Sequence, residues 1–143
     1  MALKFDAEAR NNSFMIIKDS VQDLKVAVVD DDFLIQEMIK NIFQKAGAVV
    51  YTYSDGDEFL AALDAIEFDL AFLDLNMSRV NGFEVLKVMQ TRNIRYPVIA
   101  ISVAIRRETV INAYRLGAKS YLIKPLKPDD LFKKSVEILK ANF

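Results

Sequence analysis

Five positions in this sequence carry groups whose types together suit phosphoryl chemistry. They are the acid pair Asp30-Asp31, the single acid Asp74, the hydroxyl of Ser102 and the ammonium of Lys124. Carboxylates brought close together repel, and each resists ionising unless a cation sits among them. Three aspartates offer hard oxygen ligands and leave room for water, which suits Mg²⁺. An aspartate can also attack phosphorus to give an aspartyl-phosphate. Lys124 can then neutralise charge on the equatorial oxygens of the transferring group, and Ser102 can donate its hydroxyl to one of them. Taken singly, the same residues admit plainer roles. An Asp run after a strand is a ready helix N-cap, Asp74 could cap the next helix, and Lys124 could be an ordinary solvated lysine. The chemistry depends on whether the fold brings the five together.

The elements that must position them alternate along the chain. Val26-Ala27-Val28-Val29 is a continuous β-branched run, the mark of a strand buried on both faces. Leu34, Ile35, Met38, Ile39, Ile42, Phe43 and Ala46 follow at helical spacing, and Gly47 ends that helix. Strand two is expected over Ala48 to Tyr53, with Ser54 capping a helix that runs to about Ile66. Asp69 to Leu73 reads as strand three, with helix three centred on Phe83 to Met89. Val98 to Ile101, after Pro97, reads as strand four. Helix four carries Val110, Ile111, Ala113 and Tyr114 and stops near Gly117. Strand five is expected over Lys119 to Ile123, and Pro128 opens a last helix. Five strands alternating with five helices argue for an α/β fold with a parallel sheet covered on both faces. Ligands of such sheets sit beyond the carboxyl ends of the strands, and all five chemical positions fall at those ends.

Composition narrows the alternatives. The 143 residues are 52% hydrophobic and 27% charged, the profile of one globular domain. The absence of cysteine excludes disulfides and thiolate chemistry, and the absence of histidine excludes imidazole-based triads and any role as a phospho-histidine donor. No apolar run approaches the roughly 20 residues of a membrane span, and Met1 to Arg10 lack the apolar stretch of a secretory signal. A cytoplasmic location without membrane insertion is expected. Residues 104 to 143 hold nine Lys/Arg against four Asp/Glu, leaving residues 1 to 103 at −6. That asymmetry points to an electrostatically complementary protein partner, not to direct nucleic-acid binding. Residues 1–24 lie outside the alternating pattern as an N-terminal extension. Their run Phe14-Met15-Ile16-Ile17 is expected to pack on its own domain or on a neighbour.

The motifs Val28-Val29-Asp30-Asp31, Phe72-Leu73-Asp74-Leu75-Asn76-Met77, Asn81-Gly82, Pro97-Val98-Ile99-Ala100-Ile101-Ser102, Gly117-Ala118 and Lys124-Pro125 resemble the receiver domains of bacterial response regulators. The resemblance is to a single-domain, chemotaxis-regulator-like receiver of two-component signalling; it covers about residues 24 to 142, with the receiver domain expected over residues 25–143. It implies a flavodoxin-like three-layer (βα)5 fold with strand order 2-1-3-4-5. It further implies that Asp74 accepts a phosphoryl group from a histidine kinase or phosphotransfer protein. Asp31, Asp74 and the main-chain carbonyl of Asn76 would ligand Mg²⁺, with Asp30 acting through water. Ser102 and Lys124 would hold the phosphoryl oxygens, Tyr121 would be the switch aromatic, and the Lys124-Pro125 bond would be cis. Self-phosphorylation from small phosphodonors and weak self-dephosphorylation would follow.

Two positions depart from the family pattern. Val103 stands where Ala or Gly is usual and is expected to narrow the approach to Asp74. Ser78 replaces the usual proline after Met77. The chain ends at Phe143, so the expected output is contact with a downstream protein, or a homodimer, through the face of helix four, strand five and helix five. There Arg106, Arg107, Lys119, Lys133 and Lys134 gather. The rival reading is a receiver-like interaction module that is never phosphorylated. Three costly converging acids argue against it, because a scaffold has no use for them. A Mg²⁺-dependent phosphohydrolase is weaker still, since no second Asp follows Asp74 at the spacing a general acid requires.

Overall fold

Continuous apolar runs become strands, and two of the runs inside the sheet are buried throughout. In the computed structural model, which describes residues 19–142, β1 spans Lys25–Val29, β2 Val49–Tyr53, β3 Leu70–Asp74, β4 Val98–Ser102 and β5 Ser120–Ile123. They form one parallel sheet of order β2-β1-β3-β4-β5. Every residue of β3 and β4 is buried, as expected for a sheet covered on both faces. The helices are α1 (Phe33–Lys45), α2 (Gly56–Ala62), α3 (Gly82–Thr91), α4 (Arg107–Arg115) and α5 (Pro128–Asn142).

The two faces have separate cores. On one, Val26, Val28, Leu70, Phe72, Ile99 and Ile101 pack with Ile39 and Phe43 of α1 and with Leu131, Phe132 and Leu139 of α5. On the other, Val29, Leu73, Ala100 and Tyr121 meet Phe59 of α2, Val85 and Met89 of α3, and Ala113 of α4. The chain is thus three layered, flavodoxin-like and α/β. Val21, before β1, is fully buried in the first core, and the Asp23 N–H donates to the Gly47 carbonyl at 2.9 Å. The run Phe14 to Ile17 lies outside the described residues. No described helix is long and apolar enough to cross a membrane.

Several boundaries differ from expectation, each for a local reason. The cap of α2 is Asp55, not Ser54: its carboxylate accepts the Glu58 N–H at 2.9 Å. That helix also ends at Ala62, four residues short of Ile66. β2 starts at Val49, not Ala48. β3 is shifted one residue on, so Asp74 belongs to the strand, and β4 likewise takes in Ser102. β5 starts at Ser120, with Lys119 before it. Leu34, expected on the inner face of α1, is 75% exposed because it lies on the side of the helix opposite the buried Gln36, Ile39 and Phe43. Ile111 and Tyr114 of α4 also face solvent, leaving Ala113 as that helix's buried residue.

Two glycines hold the connections to the sheet. Gly47 takes a φ of 94° after α1, a conformation glycine adopts without a Cβ clash. Gly82 opens α3 against the end of β3. A Cβ there would lie 2.5 Å from the Asp74 carbonyl oxygen and 2.7 Å from the Leu75 Cα. Both are backbone atoms that cannot step aside without moving Asp74. Gly82→Ala should therefore lower stability by about 2 kcal/mol or more, read as a fall in the urea midpoint. An unchanged midpoint would mean that α3 can shift away from β3 at little cost.

Candidate functional site

Sheet register decides which groups meet. Val29 pairs with Leu73 and Asp74 with Ile101, so Asp30 and Asp74 emerge side by side. Ser102 pairs with Ile123, and the Lys124 N–H donates to the Ser102 carbonyl at 2.9 Å. Lys124 thus reaches back over the edge toward the acids. Asp30, Asp31 and Asp74 each place a carboxylate oxygen within 4.8 Å of the others. The run of three aspartates divides by role. Asp32 caps α1, accepting the Leu34 N–H at 2.9 Å, while Asp30 is buried and Asp31 exposed.

Asp30 and Asp74 are held by the same local device. Each carboxylate accepts the N–H two residues on through Oδ1: Asp32 to Asp30 at 2.8 Å, and Asn76 to Asp74 at 2.9 Å. Each turns Oδ2 toward Lys124 Nζ, at 3.1 Å from Asp30 and 3.3 Å from Asp74. The approach of Asp30 Oδ2 is an ion pair without hydrogen-bond geometry, so this fully buried oxygen lacks a hydrogen-bond donor. An orphaned anionic oxygen beside two other carboxylates fits a cation of the Mg²⁺ type. Burial pushes the Asp30 carboxyl up to about 6; the charge of Asp74 adds to this, while the Asp32 N–H and Lys124 oppose it. Burial alone would lower the Lys124 ammonium, but Asp30 and then Asp74 reverse that and raise it.

Ser102 is fully buried and joins a chain of hydrogen bonds. Its hydroxyl donates to Asn76 Oδ1 at 2.7 Å, and its oxygen accepts the Ala104 N–H at 3.0 Å. The Ala104 carbonyl in turn accepts the Tyr121 hydroxyl at 2.8 Å, and Tyr121 is 8% exposed. Val103 is 64% exposed on the rim. The Lys124-Pro125 bond is cis. Arg106, Arg107, Lys119 and Lys133 are exposed and Lys134 is half-buried.

Two contributors escaped the sequence reading. Gln36 is buried on the inner face of α1, where its amide donates to the Asp30 carbonyl at 2.6 Å. A polar residue at the spacing of Ile39 and Phe43 was the available signal. The Asn76 side chain, as the acceptor for Ser102, had no such signal, because an Asn in a loop is commonplace.

The shift at Asp30 has a consequence for metal-free stability. The folded state holds this proton to higher pH than the unfolded chain, whose ordinary value is 3.8. The contribution is fully present below that value and is lost as pH rises through about 6, a cost on the order of 3 kcal/mol at most. In EDTA, Asp30→Asn should therefore melt above the native chain at pH 7, and the advantage should disappear near pH 4. Parallel melting profiles across that range would contradict a burial-driven shift.

Comparison with known proteins agrees with this geometry. The family model described as "Response regulator receiver domain" matches residues 26–135. The nitrate/nitrite response regulator protein NarL of Escherichia coli is 30% identical over 110 residues, covering 76% of this chain and 51% of that protein. The chain spans about half the length of NarL and of the Bacillus subtilis regulator PhoP. Among solved structures, the receiver domain of the Francisella response regulator 1452 superposes with a TM-score of 0.78 at 30% identity, covering 85% of this chain and all of that one. Chemotaxis protein CheY4 of Vibrio cholerae gives a TM-score of 0.75 at 32% identity, covering 81% of this chain and 98% of its own. With the strand order, the acidic cluster and a family match over most of its length, the chain belongs to the response regulator receiver domain family.

Proposed function

We propose that this chain is a cytoplasmic phosphorylation-dependent switch that accepts a phosphoryl group on Asp74 from a histidine kinase or phosphotransfer protein. The observation that carries the reading is the Lys124 ammonium set between two buried carboxylates, 3.1 Å from Asp30 and 3.3 Å from Asp74. A carboxylate oxygen of Asp74 attacks phosphorus, the bond from phosphorus to the donor's imidazole nitrogen breaks, and the imidazole leaves with that electron pair. Lys124 neutralises the charge on the equatorial oxygens. Asp31, Asp74 and the Asn76 carbonyl would hold Mg²⁺, with Asp30 acting through water. The ion would supply further charge neutralisation between acceptor and phosphoryl group.

The hydroxyl of Ser102 supports the readout. Without phosphate it is held by Asn76 Oδ1. An aspartyl-phosphate adds about −1.5 to −2 charge and strong acceptors beside it, and Ser102 then turns from Asn76 to a phosphoryl oxygen. Ala104 is bonded to Ser102 and Tyr121 to Ala104, so the β4–α4 loop and Tyr121 follow. The altered surface is the α4–β5–α5 face, where the apolar Tyr114 and Ile123 stand exposed beside the basic residues. A downstream protein or a second copy of this chain docks there.

In Mg²⁺ with acetyl phosphate, the native chain should gain one phosphoryl group on a phosphate-affinity gel, and Asp74→Asn should gain none. Labelled Asp74→Asn would show that the acceptor lies elsewhere. Beryllofluoride should move the Tyr121 and residue 102–125 amide signals more than those of α1. Shifts confined to the loop around Asp74 would favour a passive interaction module.

A further inference from the structure

We infer that Gln36 is a positioning residue for the acidic site: its buried amide fixes the peptide plane from which the exposed acid Asp31 projects. The inference rests on the function proposed above and adds a component to it.

The geometry is specific. Gln36 is 7% exposed, in the first turns of α1. Its Nε2 lies 2.6 Å from the Asp30 carbonyl oxygen, 3.4 Å from the Tyr53 carbonyl oxygen and 3.3 Å from Ser54 Oγ. Two of the three are carbonyls and only accept, so the NH₂ end of the amide must face them. One N–H serves Asp30 in a short bond, and the other reaches the end of β2 at longer range. The Tyr53 carbonyl also accepts the Asp30 N–H at 3.0 Å. One side chain thus braces the carboxyl ends of β1 and β2 against α1.

The Asp30 carbonyl belongs to the peptide unit that continues into the Asp31 nitrogen, and that unit is planar and rigid. Anchoring its oxygen sets the direction in which the chain enters Asp31. Asp30 does not need this help, because its carboxylate is held by the Asp32 N–H and Lys124. Asp31 does. It is exposed, and no described side chain donates a hydrogen bond to its carboxylate. Its placement within 4.8 Å of the other acids comes from its backbone, and that backbone is tied down by Gln36. Groups that orient a ligand without touching the ion commonly change metal affinity by 10- to 100-fold when removed.

The test separates affinity from stability on the full chain. Gln36→Met keeps the length and unbranched shape but loses the donor. Gln36→Glu keeps the shape and polarity and replaces the donating NH₂ with oxygen. Ile39→Ala, one turn along the same buried face, is the matched packing control. Mg²⁺ dissociation constants come from titration calorimetry, and melting temperatures and the Asp31 amide shift are measured in EDTA. Both Gln36 variants should weaken Mg²⁺ binding about tenfold or more and move the metal-free Asp31 amide signal. Ile39→Ala should melt lower with its Mg²⁺ affinity within twofold of native. Mg²⁺ affinity within twofold of native in either folded Gln36 variant overturns the positioning role, whatever its melting temperature. So does an equal loss of affinity in Ile39→Ala. Failure of the native chain itself to bind Mg²⁺ would overturn both this role and the proposed function, which distinguishes the two failures.

Discussion

The ammonium of Lys124 between Asp30 and Asp74 is the interaction on which the rest of the site depends. Parallel pairing places two buried carboxylates side by side at the ends of β1 and β3, an arrangement that would expel one of the charges if left alone. The lysine that offsets them comes from the far side of β4, 94 residues from Asp30 and 50 from Asp74. It arrives only because β4 and β5 complete the sheet in the observed order. A buried pair of this kind rarely adds net stability, because desolvation consumes what attraction provides. Asp30 shows the imbalance: its carboxyl is pushed up to about 6 despite the neighbouring cation. The site is therefore under-neutralised as folded, and it favours a further cation or, near pH 6, a proton.

Most of the fold was legible because a parallel sheet imposes a blunt code. The run Val26 to Val29 and the run Leu70 to Leu73 are buried on both faces, and no helix of that composition competes with the pattern. The five chemical positions were legible for a related reason: strand ends follow from strand positions, and in parallel sheets the chemistry collects there. The errors have local causes. Capping of α2 was assigned to Ser54 when Asp55 was one residue away and offered a better acceptor to Glu58. Periodicity alone turns Leu34 inward, but the buried stripe of α1 runs through Gln36, Ile39 and Phe43, and Leu34 lies on the far side of the helix from it. Phe68 lies in a loop and carries no periodic signal. Only the assembled structure shows it fully covered, with its ring centroid 5.5 to 6.2 Å from those of Tyr51, Phe59, Tyr96 and Tyr53.

Hydrogen bonds between loops were the least legible part. The Ser102, Asn76, Ala104 and Tyr121 chain joins two loops and two strands, and one of its links is a backbone carbonyl that any residue could supply. Ser102 and Tyr121 were identifiable as residues, but the group between them was not. Gln36 differs in kind. A polar side chain at a core position must find partners, so the sequence announces that something is being bonded without saying what.

These two networks make the site mechanically asymmetric. On the side of α1, Asp32 caps the helix and the buried Gln36 amide ties it to two strands. On the other side, the β4–α4 loop exposes Val103 and Ile105, so packing does little to hold it, and the N-cap of α4, Arg106, makes no side-chain capping bond. In α1, α2 and α3 that cap is supplied by Asp32, Asp55 and Asn81. An uncapped helix start leaves backbone N–H groups without their local partner, which lowers the cost of re-forming the preceding loop. A charge added at Asp74 would thus meet a braced helix on one side and, on the other, a segment whose described side-chain ties run through Ser102 and Tyr121. Displacement follows the lower resistance, so under the proposed function a phosphoryl charge on Asp74 would act toward α4 and β5 and away from α1.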